Sequence, residues 1–418
     1  MNSFLLPERA TKGVSKMSRP LSSQRGAVSL FVVIFVALLI ITIATAFIRI
    51  MIQDQMQATA NDLSKSALDS ANAGVEDTKR AIVEYYQKNC PTTPQGINSR
   101  CDSLKAALVG DTTPPNDGWT TGCQATKDAG VATLTDGEVR VKTNNVDDDQ
   151  LNQAYTCVKV QMNPPDYVGS LTPSTSRLIR LKAKDNVPFS QVKIQWYSQQ
   201  GQTVDLDGGT VPYELPNKWP VNRPAVMRAQ LLQYKSDFRV SDFDSDANYN
   251  SSLFLLPSIA GADTTTKAHF SLDLRQSRDS SAAQPVACHR TPTASRYACE
   301  VTITLPDWGD PANAAARTAY LKIGQFYSSS NTDFRVTMLT DAGEEVRFTD
   351  VQPVVDATGR ANDIFRRIRS RIDLGASSIP NTEAAVDVTK SLCKEFIVTN
   401  DKAYPGNNTI CPIPPTTP

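Results

Sequence analysis

Between Ala27 and Ile48 the chain runs for 22 residues without a charge, AVSLFVVIFVALLIITIATAFI. Wound as a helix, that run covers about 33 Å, the thickness of a bilayer's hydrocarbon core. A helix satisfies its backbone N–H and C=O groups internally, which a lipid environment demands. No other stretch of the 418 residues approaches this length, so one span is expected. Residues 1–26 carry Arg9, Lys12, Lys16, Arg19 and Arg25 against a single acid, Glu8. Positive flanks stay cytoplasmic, which puts the N-terminus inside and residues 50–418 on the outer side. The run is too long for the apolar region of a cleaved secretory signal, and no A-x-A-like site follows it promptly. A single-span anchor is the plainest reading.

The helix is expected to continue past the membrane. The chain holds 26 prolines, yet none falls between Pro20 and Pro91, and Gly74 is the only glycine from 27 to 90. Small and apolar residues recur at helical spacing: Ile52, Met56, Ala60, Leu63, Ala67, Ala71, Gly74, Ile82 and Tyr85. Polar residues such as Asp54, Asp62, Asp69, Asp77 and Arg80 fill the opposite face. The pattern predicts one helix over about 27–88, roughly 90 Å long. Its outer half presents an apolar stripe that something must cover, and the domain that follows is the candidate.

A basic leader ending Gln24-Arg25-Gly26 and followed at once by an apolar helix resembles a type III prepilin signal. The stretch Gln55–Ile82, with its small-residue run Ala71-Asn72-Ala73-Gly74-Val75 closed by Glu76, resembles the N-terminal region of PilX-class minor pilins. The likeness covers roughly residues 24–85. It implies cleavage between Gly26 and Ala27 by a prepilin peptidase on the cytoplasmic side, leaving the helix intact. It also implies a type IV pilus minor subunit whose partners are the membrane and other pilins through the N-terminal helix. Priming or tip roles follow, with adhesion to a host or surface ligand, motility or DNA uptake. The glutamate that major pilins carry in the first turn of the mature helix is replaced here by Phe31, and no acid occurs from 27 to 48. Tip-initiating pseudopilins share that lack. The proline that interrupts many pilin helices is also missing. A minor or tip subunit is therefore expected rather than a major one. A type II secretion pseudopilin and an anchored extracellular domain unrelated to filaments remain as alternatives. Met17 is a second candidate start.

Eight cysteines, Cys90, Cys101, Cys123, Cys157, Cys288, Cys299, Cys393 and Cys411, all fall on the expected outer side. An even count there reads as disulfides, although eight cysteines admit 105 connectivities. Proximity favours 90–101, 123–157, 288–299 and 393–411. A four-cysteine zinc site is disfavoured by the lack of any CxxC spacing.

Residues 89–130 read as a looped, disulfide-pinned segment. Strand patterns follow at Val131–Val141, Thr156–Met162, Arg177–Lys184 and Gln191–Tyr197. More lie at Ala225–Tyr234, Ser252–Leu256, His269–Leu274, Tyr297–Leu305, Ala319–Phe326, Asp333–Thr340 and Glu345–Thr349. In Asn362–Leu374 strand alternation competes with a short helix. The expected fold is α+β: one long pilin-type helix, transmembrane and then amphipathic, on an antiparallel sheet with an inserted β-sandwich. The expected divisions are a leader 1–26, a span 27–48, an amphipathic continuation 49–88 and a pilin-like segment 89–160. A β-sandwich 161–340, returning strands 341–411 and a frayed tail 412–418 complete them.

Chemistry is thinly written. Lys plus Arg equals Asp plus Glu at 43 each, which argues against a generally basic nucleic-acid binder. With His269 and His289 the only histidines, histidine triads and HExxH zinc sites are out of reach. No P-loop, GxGxxG or GxSxG motif occurs, and no enzyme activity or cofactor is expected. Asp242, Asp244, Asp246 and Asn248 alternate as the first oxygen ligands of an EF-hand loop do. The pattern then fails, with Ala247 where a glycine belongs and Leu253 where a glutamate belongs. A weak calcium site and a solvated Asx-rich turn both fit. Arg367, Arg369 and Arg371 would share one face of a strand; they suit either anion contact with DNA or acidic polymers, or a salt-bridged sheet. Asn250-Ser251-Ser252 matches a glycosylation sequon.

Overall fold

In the computed structural model the described residues are 25–110, 117–141, 152–173, 175–197, 203–206, 219–234, 249–259, 266–272, 284–291, 297–306, 318–328 and 330–374. Three helices come first: α1 (Arg25–Gln87), α2 (Ser99–Leu108) and α3 (Ala125–Asp128). The strands β1 (Val139–Arg140), β2 (Gln153–Gln161), β3 (Asp166–Leu171), β4 (Ser176–Leu181) and β5 (Gln191–Trp196) follow. Next come β6 (Val226–Tyr234), β7 (Asn250–Ile259), β8 (Lys267–His269), β9 (Ser271–Leu272), β10 (Gln284–Cys288) and β11 (Cys299–Thr304). The series ends with β12 (Thr318–Phe326), β13 (Thr332–Leu339), β14 (Glu345–Val346), β15 (Val354–Ala361) and β16 (Ile364–Arg371).

α1 is one helix of 63 residues. It stops where the sequence can no longer continue it. Asn89 takes the left-handed conformation at φ 54°, its neighbour Cys90 donates back to the Tyr85 carbonyl, and Pro91 follows. The chain divides into two compact units, residues 1–63 and 64–418. In the first, residues 30–62 are all exposed, Phe31, Phe35 and Phe47 among them.

In the second unit, β1, β2, β15 and β16 form a four-stranded antiparallel sheet in that order. One hydrophobic core joins it to the later turns of α1 and to α2: Val75, Ile82, Tyr85, Leu104, Leu108, Val158, Val160, Val355 and Ala357 are all buried there. α2 corrects the expectation of a loop over 89–130. Its first turn is capped by Asn98, whose side chain accepts from the N–H groups of Arg100 and Cys101. The Cys90–Cys101 disulfide then ties it to the end of α1.

The chain between β2 and β15 builds a twelve-stranded mixed sheet rather than the two facing antiparallel sheets of a sandwich. Two of its pairings, β7 with β10 and β8 with β11, are parallel. Curling replaces face-to-face stacking. β3 is bonded to β13 near one end of the hydrogen-bonded path and β4 lies at the other, yet residues 172–175 alone connect them. Beyond β4, Lys184 N–H donates to the Arg347 carbonyl and Thr349 N–H to the Lys182 carbonyl, so the sheet nearly closes. A single core fills it, with Trp196, Phe334, Phe348, Leu181, Ile194 and Leu231 fully buried.

Candidate functional site

α1 presents two stretches that differ in kind. Along residues 30–48 the helix is apolar all round, and Arg49 ends the uncharged run. Among the described residues it is the one helix long and apolar enough to cross a membrane. From Ala67 onward the helix shows a seam of small residues: Ala67, Ser70, Ala71, Gly74, Thr78 and Ala81 are all buried. The hydroxyls in that seam are satisfied by their own helix, Ser70 donating to the Ser66 carbonyl and Thr78 to that of Gly74.

The sheet meets this seam with equally spare side chains. Tyr155, Val158 and Val160 of β2 lie beside Gly359, Ala357 and Val355 of β15 on the helix-facing side. A Cβ at Gly359 would lie 2.2 Å from the Ala67 carbonyl oxygen and 2.2 Å from the Ala71 nitrogen, and one at Gly74 would lie 3.1 Å from Cγ2 of Val158. A register shift between Thr358 and Gly359 brings the strand to that close approach. Polar contacts frame the seam. The Tyr155 hydroxyl donates to Asp77 Oδ2 at 2.8 Å, and Arg366 Nε donates to Ser64 Oγ at 2.7 Å. Burial and then the bond to Asp77 push the Tyr155 phenol up, although its contact with Thr126 pulls the other way. The expected stripe therefore meets the sheet only in its later part. Ala67 and Ala71 are buried, Leu63 is half-buried, and Met56 is 68% exposed.

Acid-centred contacts join the small sheet to the large one. Asp166 of β3 receives Arg371 from β16 and Arg335 from β13. The Tyr167 hydroxyl donates to Asp373 at 3.0 Å, and Gln352 bonds both the N–H and the carbonyl of Val168. Asp350 receives the Tyr86 hydroxyl from the last turn of α1 and the Lys182 ammonium from beyond β4. Burial, with Asp350 alongside, raises the Tyr86 phenol far above its ordinary value. At the end of α1, Arg100 forks onto both carboxylate oxygens of Glu84 and holds that acid below its usual range.

Gly26 and Ala27 lie in the first turn of α1. Three disulfides join cysteines that neighbour each other in the chain: Cys90–Cys101, Cys123–Cys157 and Cys288–Cys299. Cys393 and Cys411 lie outside the described residues, as do Asp242, Asp244, Asp246 and Asn248 of the calcium candidate. Among the described residues no cluster of three His, Cys, Asp or Glu side chains is placed to hold a metal. Arg367, Arg369 and Arg371 do share one face of β16, but each already has a partner. Arg367 forks onto Asp356, Arg369 lies over the Trp119 ring with its Cζ 4.9 Å from the centroid, and Arg371 binds Asp166 and Gln352. In this arrangement the three arginines engage the protein's own acids and an aromatic ring. Asn250 of the sequon is buried in β7, where its side-chain oxygen accepts from Gln230, so it offers no acceptor for a glycan.

Gly359, Asp356 and Asp166 were not singled out from the sequence. A glycine inside a strand signals close backbone approach, and that signal in Val354–Ala361 was the one available. Neither a family model nor a curated protein matches the chain.

Proposed function

We propose that the protein is a minor pilin-like structural subunit of a type IV pilus, held in the cytoplasmic membrane by α1 before assembly, with residues 50–418 on the outer side. One observation carries the reading. A single helix is lipid-compatible over residues 30–48 and, without a break, offers a small-residue seam to an antiparallel sheet from Ala67 onward. An anchor alone needs only the first part. A subunit extracted from the bilayer into a filament needs a rigid helix that serves lipid, neighbouring helices and its own head in turn. The uncharged first turns, with Phe31 in place of an acid, suit a tip or priming position, where fewer neighbours surround the helix. The leader ending at Gly26 supports cleavage before Ala27. The disulfides suit an oxidising, extracytoplasmic setting. Its role on this reading is structural and adhesive rather than catalytic.

Deleting the gene and imaging the cell surface tests it. Loss or shortening of surface filaments, with loss of twitching, is expected. Unchanged filaments and motility would leave the protein a single-span anchored domain.

A further inference from the structure

The strands β7, β6, β12 and β4 lie side by side in that order and contain no Asp or Glu. Acids and bases are equal in the chain at 43 each, so this stretch of sheet is unusually one-signed. Its cations divide by face. Arg177 pairs with Asp373 at 3.7 Å. Ile179, Leu181, Leu321, Ile323, Ala229 and Leu231 all enter the core, so Arg180, Lys322 and Arg228, which alternate with them, stand on the outward face.

The register sets these three in a line. Arg180 of β4 is paired with Tyr320 of β12, and Arg228 of β6 with Gly324 of β12. Lys322 lies two residues from each of those partners, so it is the diagonal neighbour of both arginines, at roughly 7–8 Å between backbones. Arg180 is exposed and Lys322 half-buried, and among the described residues neither has an acid partner. The Arg228 guanidinium carbon lies 5.7 Å from the centroid of the Phe254 ring. Like charges set beside one another on a sheet weaken it, and no acid in these strands offsets them. The half-buried rings of Tyr320 and Phe326 share the outward face with Lys322, and Gly324 adds no side chain between them.

We infer that this face binds a carboxylated polysaccharide, its acid groups meeting the line of cations and its sugar rings lying on Tyr320 and Phe326. A polymer with one charge per sugar suits a short line of cations beside aromatic rings. Duplex DNA, held through about 6–10 phosphate contacts, needs a broader basic surface than three side chains. The inference names a ligand class for the adhesive role proposed above and rests on that reading's placement of the head outside the cell. Its test measures binding by the purified chain, so it can fail while the filament reading stands.

Biolayer interferometry of the full chain in non-ionic detergent tests it, with polygalacturonate immobilised on one surface and dextran on another. Binding to polygalacturonate alone is expected, weakening as salt is added. Arg180→Gln combined with Lys322→Gln should weaken it at least about tenfold, whereas Lys193→Gln, on the outward face of β5, should change it by less than about twofold. These are neutral replacements at positions outside the core, and coincident thermal melts verify that the variants fold. No binding by the parent, equal weakening by Lys193→Gln, or tighter binding to duplex DNA at the same salt would each overturn the assignment; the last would make the face a nucleic-acid surface.

Discussion

The carbonyl oxygen of Ala67 occupies the space into which any side chain at Gly359 would project, 2.2 Å from where a Cβ must stand. The obstacle is helix backbone, not the flexible end of a side chain, so relief requires α1 to move off the sheet. Gly359→Ala should therefore destabilise the protein by about 1–3 kcal/mol, the usual range for overpacking, measured as a fall in the denaturation midpoint. Gly324→Ala is the control. A Cβ there meets its nearest neighbour, Cβ of Ser176, at 3.6 Å, an ordinary contact, and the midpoint should barely change.

The extent of the covered seam makes a second prediction. Ala71 is fully buried whereas Met56 is 68% exposed. Ala71→Asp places an unpaired charge against β15 and should abolish the cooperative melt of the purified chain in detergent. Met56→Asp should leave that melt within about 0.5 kcal/mol of the parent. Equal losses from the two would mean that the sheet does not distinguish these parts of the helix.

The pattern of what could be read beforehand follows from locality. The long helix announces itself because 21–90 is the longest proline-free run in a chain of 26 prolines. β5 and β11 are legible because their buried and half-exposed positions alternate. β15 is hard to see in the sequence because its first four positions, Val354 to Ala357, are all buried, so no period marks it. α2 escapes a reading of the sequence because ten residues carry little periodic signal; the Asn98 cap and the Cys90–Cys101 bond fix it from outside. The curl of the large sheet was invisible for a different reason. It rests on contacts such as Lys184 to Arg347, between segments far apart in the chain. The Ala67–Gly359 approach is hidden in the same way, since neither residue means anything until the other is beside it.

The fork of Arg100 on Glu84 predicts a pH dependence. The arginine lowers the folded-state pKa of Glu84 below its ordinary value of 4.5. A depressed carboxyl contributes stability that is full above the unfolded pKa and is lost as pH falls through the folded one. Both side chains are about one-third exposed, so the pair is worth roughly 0.5–1 kcal/mol. Arg100→Met should remove that amount at pH 7 and shrink the difference from the parent below about pH 4, read from denaturation midpoints.

The disulfides differ in the loop each closes. Cys90–Cys101 spans 11 residues and Cys123–Cys157 spans 34. In the chain-entropy account, removing both cysteines of the shorter bond costs about 3 kcal/mol and of the longer about 4 kcal/mol. Paired alanine substitutions, compared by urea denaturation, check both the size and the order. Alkylation of the untreated, denatured protein should label none of the six cysteines in these three bonds.

The most direct measurement of the account as a whole is the mass of the N-terminal peptide in protein recovered from sheared surface filaments. A peptide beginning at Ala27, in the filament fraction, is the predicted result, and Gly26→Val should block both cleavage and recovery there. Protein found only in the membrane fraction and still beginning at Met1 or Met17 would contradict the account.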